Sequence, residues 1–112
     1  MKIDIRKESD VTIVKPVGRM DFNSLMEFSA LMNQTIQAGA HKLLLDCSEL
    51  EYLSSSGIRT MVDCQKQIQA QKGTMAFCML NEQIKELFQV VQLDKLFKIY
   101  PTEFEALDKM MA

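Results

Sequence analysis

The chain has 112 residues, 47 % hydrophobic and 25 % charged, with a formal net charge of −2. That length fits one domain, residues 1–112, able to bury a core without disulfides or metals as staples. The mild acidity excludes a basic surface for nucleic acid or for anionic membranes, so neither is expected as a direct partner.

Read in chain order, KIDIRK (residues 2–7) places Ile3 and Ile5 on one side of a half-buried strand. VTIVKPV (11–17) predicts a second strand, joined to the first by a tight turn at Glu8, Ser9 and Asp10. Pro16 has no N–H for a ladder, so this strand is expected to end there or to lie at an edge. Asp21 is positioned as N-cap of a helix over 22–38, whose stripe is Leu25, Phe28, Leu31, Met32 and Ile36. Gly39 supplies the stop.

KLLLDC (42–47) is continuously apolar at its centre, as in a strand covered on both faces. SELEYL (48–53) reads as a loop leading to the triplet Ser54, Ser55 and Ser56. Residues 55–71 predict a helix with Ile58, Met61, Val62 and Ile68 inward and Gln65 on the same stripe. Gly73 ends it. A strand over 74–80 follows, then a short helix capped by Asn81 with Ile84, Leu87 and Phe88 apolar. Residues 97–100 give a last strand. Thr102 with Glu105 fits a capping box for a terminal helix. The order β-β-α-β-α-β-α-β-α predicts an α/β fold, with a small mixed, mostly parallel β-sheet and four α-helices.

Several kinds of chemistry find no support. His41 is the one histidine and sits beside Lys42 with no acidic orienter, as a strand-end residue rather than a catalytic base. No GxGxxG or GxxxxGK[ST] occurs, and no ligand spacing suits a metal. Glu49 and Glu51 read as a solvated loop face rather than an acid–base pair. An enzyme is not expected, nor a cofactor. The odd trio Cys47, Cys64 and Cys78 lacks CxxC spacing, which fits a reducing, cytoplasmic setting. MKIDIRKESD lacks the hydrophobic region of a secretory signal, and no apolar run approaches the ~18 residues of a membrane span. The nine methionines read mainly as core filling, with Met110 and Met111 exposed.

The triplet is the feature that invites a function. It stands between a buried strand and its crossover helix, at the carboxyl edge where α/β folds carry functional loops. A helix start has unpaired N–H groups and partial positive charge, so it accepts a capping serine and also a phosphoserine. Gly57 would let a partner approach closely, and Arg59 lies four residues after Ser55, within reach of a phosphate on it. Composition alone favours the plain N-cap.

LLLDCSELEYLSSSGIRTM resembles the signature of STAS domains, in particular bacterial anti-sigma factor antagonists. In that pattern a hydrophobic strand ends in Asp, a short loop and a hydrophobic pair follow, and Asp-Ser-Ser/Thr-Gly precedes an aliphatic residue. Here these are Leu43 to Asp46, Cys47 to Glu51, Tyr52 with Leu53, then Ser54 to Gly57 and Ile58. VGRMDFNS (17–24) is similar to the family's step into the first helix, and residues 87–107 are similar to its tail.

The resemblance implies the STAS fold and a regulatory protein that switches partners. The unphosphorylated form would bind an anti-sigma factor with serine kinase activity, and phosphorylation would release it. A metal-dependent serine phosphatase would reset it. By position the acceptor is Ser55, with Ser54 and Ser56 as alternatives, and the partner interface comprises Asp21, Ser54, Ser55, Ser56, Gly57 and Arg59. Ser54 departs from the pattern, since Asp is usual there. The free chain is expected to be monomeric. A non-switching STAS scaffold and a small-ligand sensor are the alternative readings.

Overall fold

Alternating Lys2, Asp4, Arg6 and Glu8 with Ile3 and Ile5 makes β1 (Lys2–Glu8), a strand with one apolar side. Ser9, at φ 57°, begins the two-residue turn to β2 (Val11–Met20), whose Val11 pairs with Glu8. The computed structural model in which these elements are seen describes residues 1–111. The chain continues through α1 (Phe22–Gln37), β3 (Lys42–Asp46), β4 (Leu50–Leu53), α2 (Ser55–Ala70), β5 (Thr74–Cys78), α3 (Glu82–Val90), a 3₁₀ turn at Leu93–Lys95, β6 (Lys98–Tyr100) and α4 (Glu103–Met110).

The sheet order is β1-β2-β3-β5-β6, with β4 paired to β2 beyond the end of β3. β1 and β2 are antiparallel; the other pairings are parallel. The mixed, mostly parallel sheet and four helices are those expected. Two details differ.

The stretch expected as loop contains β4. A four-residue strand with Leu50 and Leu53 buried and Glu51 and Tyr52 exposed is too short for its period to show. Pro16 also does not end β2, which runs on to Met20. The strand pairs with β3 through Val14 and with β4 from Gly18. Pro16 stands in the gap between them, where a missing N–H costs no ladder bond. Gly18, at φ 106°, and a register shift before Arg19 let β2 change neighbours.

The helices form two layers. Between the sheet and α1, α2 and α3 lies the main core, with Phe28, Met32, Ile36, Leu43, Leu45, Met61, Ile68 and Phe77 buried. Phe77, Phe88 and Phe97 pack ring to ring, with centroids 4.7 to 5.8 Å apart. Truncating such a side chain to alanine typically costs about 3–5 kcal/mol. On the other face α4 covers Val11, Ile13, Leu44, Ala76 and Cys78 with Ala106 and Met110. Met110 is thus buried, against expectation, because it is one turn beyond Ala106 on the inner face of α4. Met111 is exposed as expected; Met26 and Met79 are exposed too, where core filling was expected.

Caps follow the sequence closely. Asp21 caps α1, Asn81 caps α3, and the Thr102 hydroxyl accepts from the Glu105 N–H at 3.1 Å. Gly39 follows α1 at φ 100°. Gly73 does a different job from the one expected. The left-handed residue after α2 is Lys72, while a Cβ on Gly73 would stand 2.3 Å from the His41 carbonyl oxygen. Gln65 is buried on the inner stripe of α2, and its Oε1 finds no partner among the described residues.

Candidate functional site

The ends of β2 and β4 create the site. Met20 pairs with Leu53 in parallel register, so both strands leave the sheet side by side in the same direction. Each runs straight into a helix: β2 through Asp21 into α1, β4 through Ser54 into α2. The Ser54 N–H donates to the Met20 carbonyl at 3.0 Å and fixes one start to the other. Gln67 donating to Asn33 and Gln71 donating to the Ile36 carbonyl tie the same two helices further along.

The three serines have different roles. Ser54 has extended backbone and is the N-cap; its Oγ accepts the Gly57 N–H at 3.0 Å. Aspartate and serine cap comparably well, so the substitution of Ser for Asp at this place preserves the cap while removing a charge. The first turn of α2 has no acidic residue. Ser55 and Ser56 are the first two residues of the helix and are exposed. Among the described residues neither hydroxyl is held by a side-chain hydrogen bond.

Gly57 faces inward, contrary to expectation. It is buried, and a Cβ there would meet Leu53 Cδ1 at 2.6 Å and Met20 Sδ at 3.3 Å. Its small size seats the helix on the sheet rather than opening the backbone to a partner. Arg59 is exposed one turn after Ser55.

Asp21 is bound into its own helix. Its Oδ1 accepts from the N–H groups of Ser24 and Asn23 at 3.1 and 3.0 Å, and Ser24 Oγ accepts the Asp21 N–H in return. The Ser24 N–H above all, with help from Asn23 and Arg19, holds this carboxyl below its usual range.

Sequence reasoning missed the apolar part of the site. Phe22 and Met26, one turn apart at the start of α1, are 78 % and 77 % exposed. Arg19 lies over the Tyr52 ring at 4.5 Å, pairing the strands that lead to the two helix starts. The signal for Phe22 and Met26 was in the helical period: both fall off the buried stripe of Phe28, Met32 and Ile36.

The remaining candidates lie elsewhere. His41 is exposed, and its carbonyl accepts the Thr74 N–H at 2.7 Å. Glu49 pairs with Lys15 at 2.9 Å. Asp46, at the end of β3, accepts the Ser48 N–H at 3.0 Å and lies beside Glu103, which in turn contacts Arg6. The three cysteines are buried free thiols, and burial pushes Cys64 up to about 11 and Cys78 up to about 12. No helix among the described residues is long and apolar enough to cross a membrane.

Residues 2–106 match the STAS domain family. An anti-sigma F factor antagonist of Paenibacillus polymyxa is 26 % identical over 111 residues, 98 % of this chain and 95 % of that protein. An anti-sigma-factor antagonist (STAS) domain protein from Planctomyces limnophilus shares the fold at a TM-score of 0.87 and 23 % identity, with 98 % of each chain covered. The phosphorylated form of the Bacillus cell fate determinant SpoIIAA shares it at 0.77 and 18 % identity, over 96 % of this chain and 98 % of that one. The family match runs from β1 into α4 and includes both helix starts: the chain belongs to the STAS domain family.

Proposed function

We propose that this chain is an anti-sigma factor antagonist that works by partner switching in the cytoplasm. Unphosphorylated, it binds an anti-sigma factor with serine kinase activity; phosphorylation of Ser55 releases it, and a metal-dependent serine phosphatase restores it. It acts as the kinase's substrate and ligand, not as an enzyme. The paired helix starts, with Asp21, Phe22 and Met26 on one and Ser54, Ser55, Ser56 and Arg59 on the other, form the binding surface, seated by Gly57.

The observation that carries this reading is the division of labour in the triplet. Ser54 is committed to the cap, whereas Ser55 is exposed at the first helical position. A phosphate at Ser55 adds about −1.5 to −2 charges at a helix start, which the fold tolerates. Within an interface formed around a neutral hydroxyl, the same charge must be desolvated. Each ~1.4 kcal/mol of lost affinity weakens the complex tenfold. Ser56, exposed at the second helical position, is the alternative acceptor, and Ser54 the less accessible one.

The test is phosphate mapping on the protein purified from its own cells. Trypsin releases residues 43–59 as one peptide, and fragment ions separate Ser48, Ser54, Ser55 and Ser56. Phosphate on Ser55 is expected, with Ser55→Asp weakening partner capture and Ser55→Ala preserving it. Equal binding by both variants would sink the electrostatic account.

A further inference from the structure

The outer strand β1 has an open edge, and the pairing of β1 with β2 determines which of its backbone groups are open. Gly18 turns its N–H away from β1, onto the Glu49 carbonyl at 2.9 Å. Backbone groups alternate sides along a strand, so Pro16, Val14 and Thr12 also face away from β1. Proline, with no N–H to offer, fits that position. Their register partners Ile3, Ile5 and Lys7 therefore direct their N–H and C=O groups outward.

The side chains of this strand have a matching order. Lys2, Asp4, Arg6 and Glu8 share one face and alternate in sign. An antiparallel second copy, related by a two-fold axis at Ile5, sets Lys2 opposite Glu8 and Asp4 opposite Arg6. Ile3 meets Lys7, and Ile5 meets its own copy. The three outward residues then all fall in hydrogen-bonded pairs, about six inter-chain backbone bonds.

Moving the axis by one residue keeps the outward backbone groups paired but spoils the match of charges. With the axis on Asp4, Asp4 faces Asp4 and Lys2 faces Arg6; with the axis on Arg6, Arg6 faces Arg6 and Asp4 faces Glu8. Charges normally protect an edge strand from a second copy. Here their alternation makes the full-length register attractive and the adjacent ones repulsive.

We infer that β1 is a homotypic docking edge, joining two copies of this chain antiparallel about Ile5 into one continuous sheet. Ile5 is 43 % exposed at the centre of the contact. Arg6, 47 % exposed, already holds Glu103, and a guanidinium has donors enough for a second carboxylate. The alternation thus departs from the monomer expected of the free chain. The ion pairs are exposed, so the dimer is weak and weakened further by salt. The two-fold axis places the two Ser55 sites at opposite ends, each open to a partner.

Sedimentation equilibrium of the whole chain at up to about 1 mM, where weak association registers, tests this in low and high salt. The average mass is expected to rise from one chain toward two in low salt and to fall back in high salt. Asp4→Arg and Arg6→Asp should each raise the dissociation constant at least about tenfold by placing like charges face to face. Mixing the two variants should restore the dimer, since each supplies the charge the other lacks. If Arg6→Asp fails to fold, Lys2→Glu and Glu8→Lys make the same swap and leave the Arg6–Glu103 contact intact. Amide exchange at Ile3, Ile5 and Lys7 should slow as concentration rises. A single chain at every concentration in low salt, or charge-reversed variants that dimerise like the wild type, would overturn the assignment.

Discussion

The Ser54 N–H donates to the Met20 carbonyl at 3.0 Å, and through this bond the two helix starts of the candidate site become one surface. Met20 is not predicted to carry chemistry, and Ser54 is only an alternative acceptor. Their contact nevertheless sets Ser55 next to the exposed start of α1, because Met20 and Leu53 end paired strands.

The cap is the first point to test. Ser54→Ala removes the acceptor of the Gly57 N–H and should destabilise the fold by about 1 kcal/mol. Ser54→Asp should retain wild-type stability, since aspartate caps as well. Urea midpoints of the two variants check this. A Ser54→Ala protein as stable as wild type would show that the cap contributes nothing here.

Two glycines should respond differently to a methyl group. Gly73→Ala drives Cβ to within 2.3 Å of a backbone carbonyl, which only a backbone shift relieves; a loss of about 1–3 kcal/mol or more is expected. Gly57→Ala meets the end of the Leu53 side chain at 2.6 Å. That side chain can turn, and alanine gains up to ~1 kcal/mol of helix propensity. Thermal unfolding should therefore rank Gly73→Ala well below Gly57→Ala.

Phe22 and Met26 offer a separation of binding from stability. Both are about as exposed as a side chain on a helix becomes, so Phe22→Ser and Met26→Ser should change stability by no more than about 0.5 kcal/mol. If the helix starts form the partner surface, each should reduce affinity for the kinase partner by about tenfold, the loss typical of an apolar anchor. Calorimetric titration with that partner, alongside Ser55→Ala as a binding-competent control, would show it.

Asp46 and Glu103 give a pH signature. The hydrogen bond to Asp46 is the main cause of the raised pKa of Glu103, with burial second and Arg6 opposing. Burial pushes Asp46 up, but the hydrogen bonds from Glu103 and Ser48 and the charge of Lys15 outweigh it, and its pKa is lowered. Of the two carboxyls, Glu103 therefore holds its proton to the higher pH. A group with a raised folded pKa stabilises below its unfolded value, 4.5 for Glu103, and that contribution disappears as pH rises through the folded value. Asp46 acts in the opposite sense, losing its contribution as pH falls below 3.8. Glu103→Gln keeps a hydrogen-bond donor toward Asp46 and cannot titrate. Relative to wild type it should gain stability as pH rises from about 4 to about 7. A pH-independent difference in urea midpoint would contradict the raised pKa of Glu103.

The sequence by itself determined the local features. Period-two and period-3.6 patterns marked the strands and the inner faces of α1 and α2. Short polar residues at Asp21, Asn81 and Thr102 marked helix starts, because capping is satisfied within three or four residues and leaves a local signature. The triplet at Ser54 to Ser56 was visible for the same reason. Tertiary structure decided what depends on distant neighbours. β4 exists because β2 outruns β3 and offers a second edge, a circumstance no four-residue pattern encodes. Gly73 is small because of the carbonyl of His41, far from it along the chain. Gly57 turned inward because Leu53 and Met20 meet there, and Met110 because α4 packs on the outer face of the sheet. Which serine hydroxyl is bound and which is open was settled by one hydrogen bond, since three adjacent residues of one type differ only in the direction the folded backbone gives them.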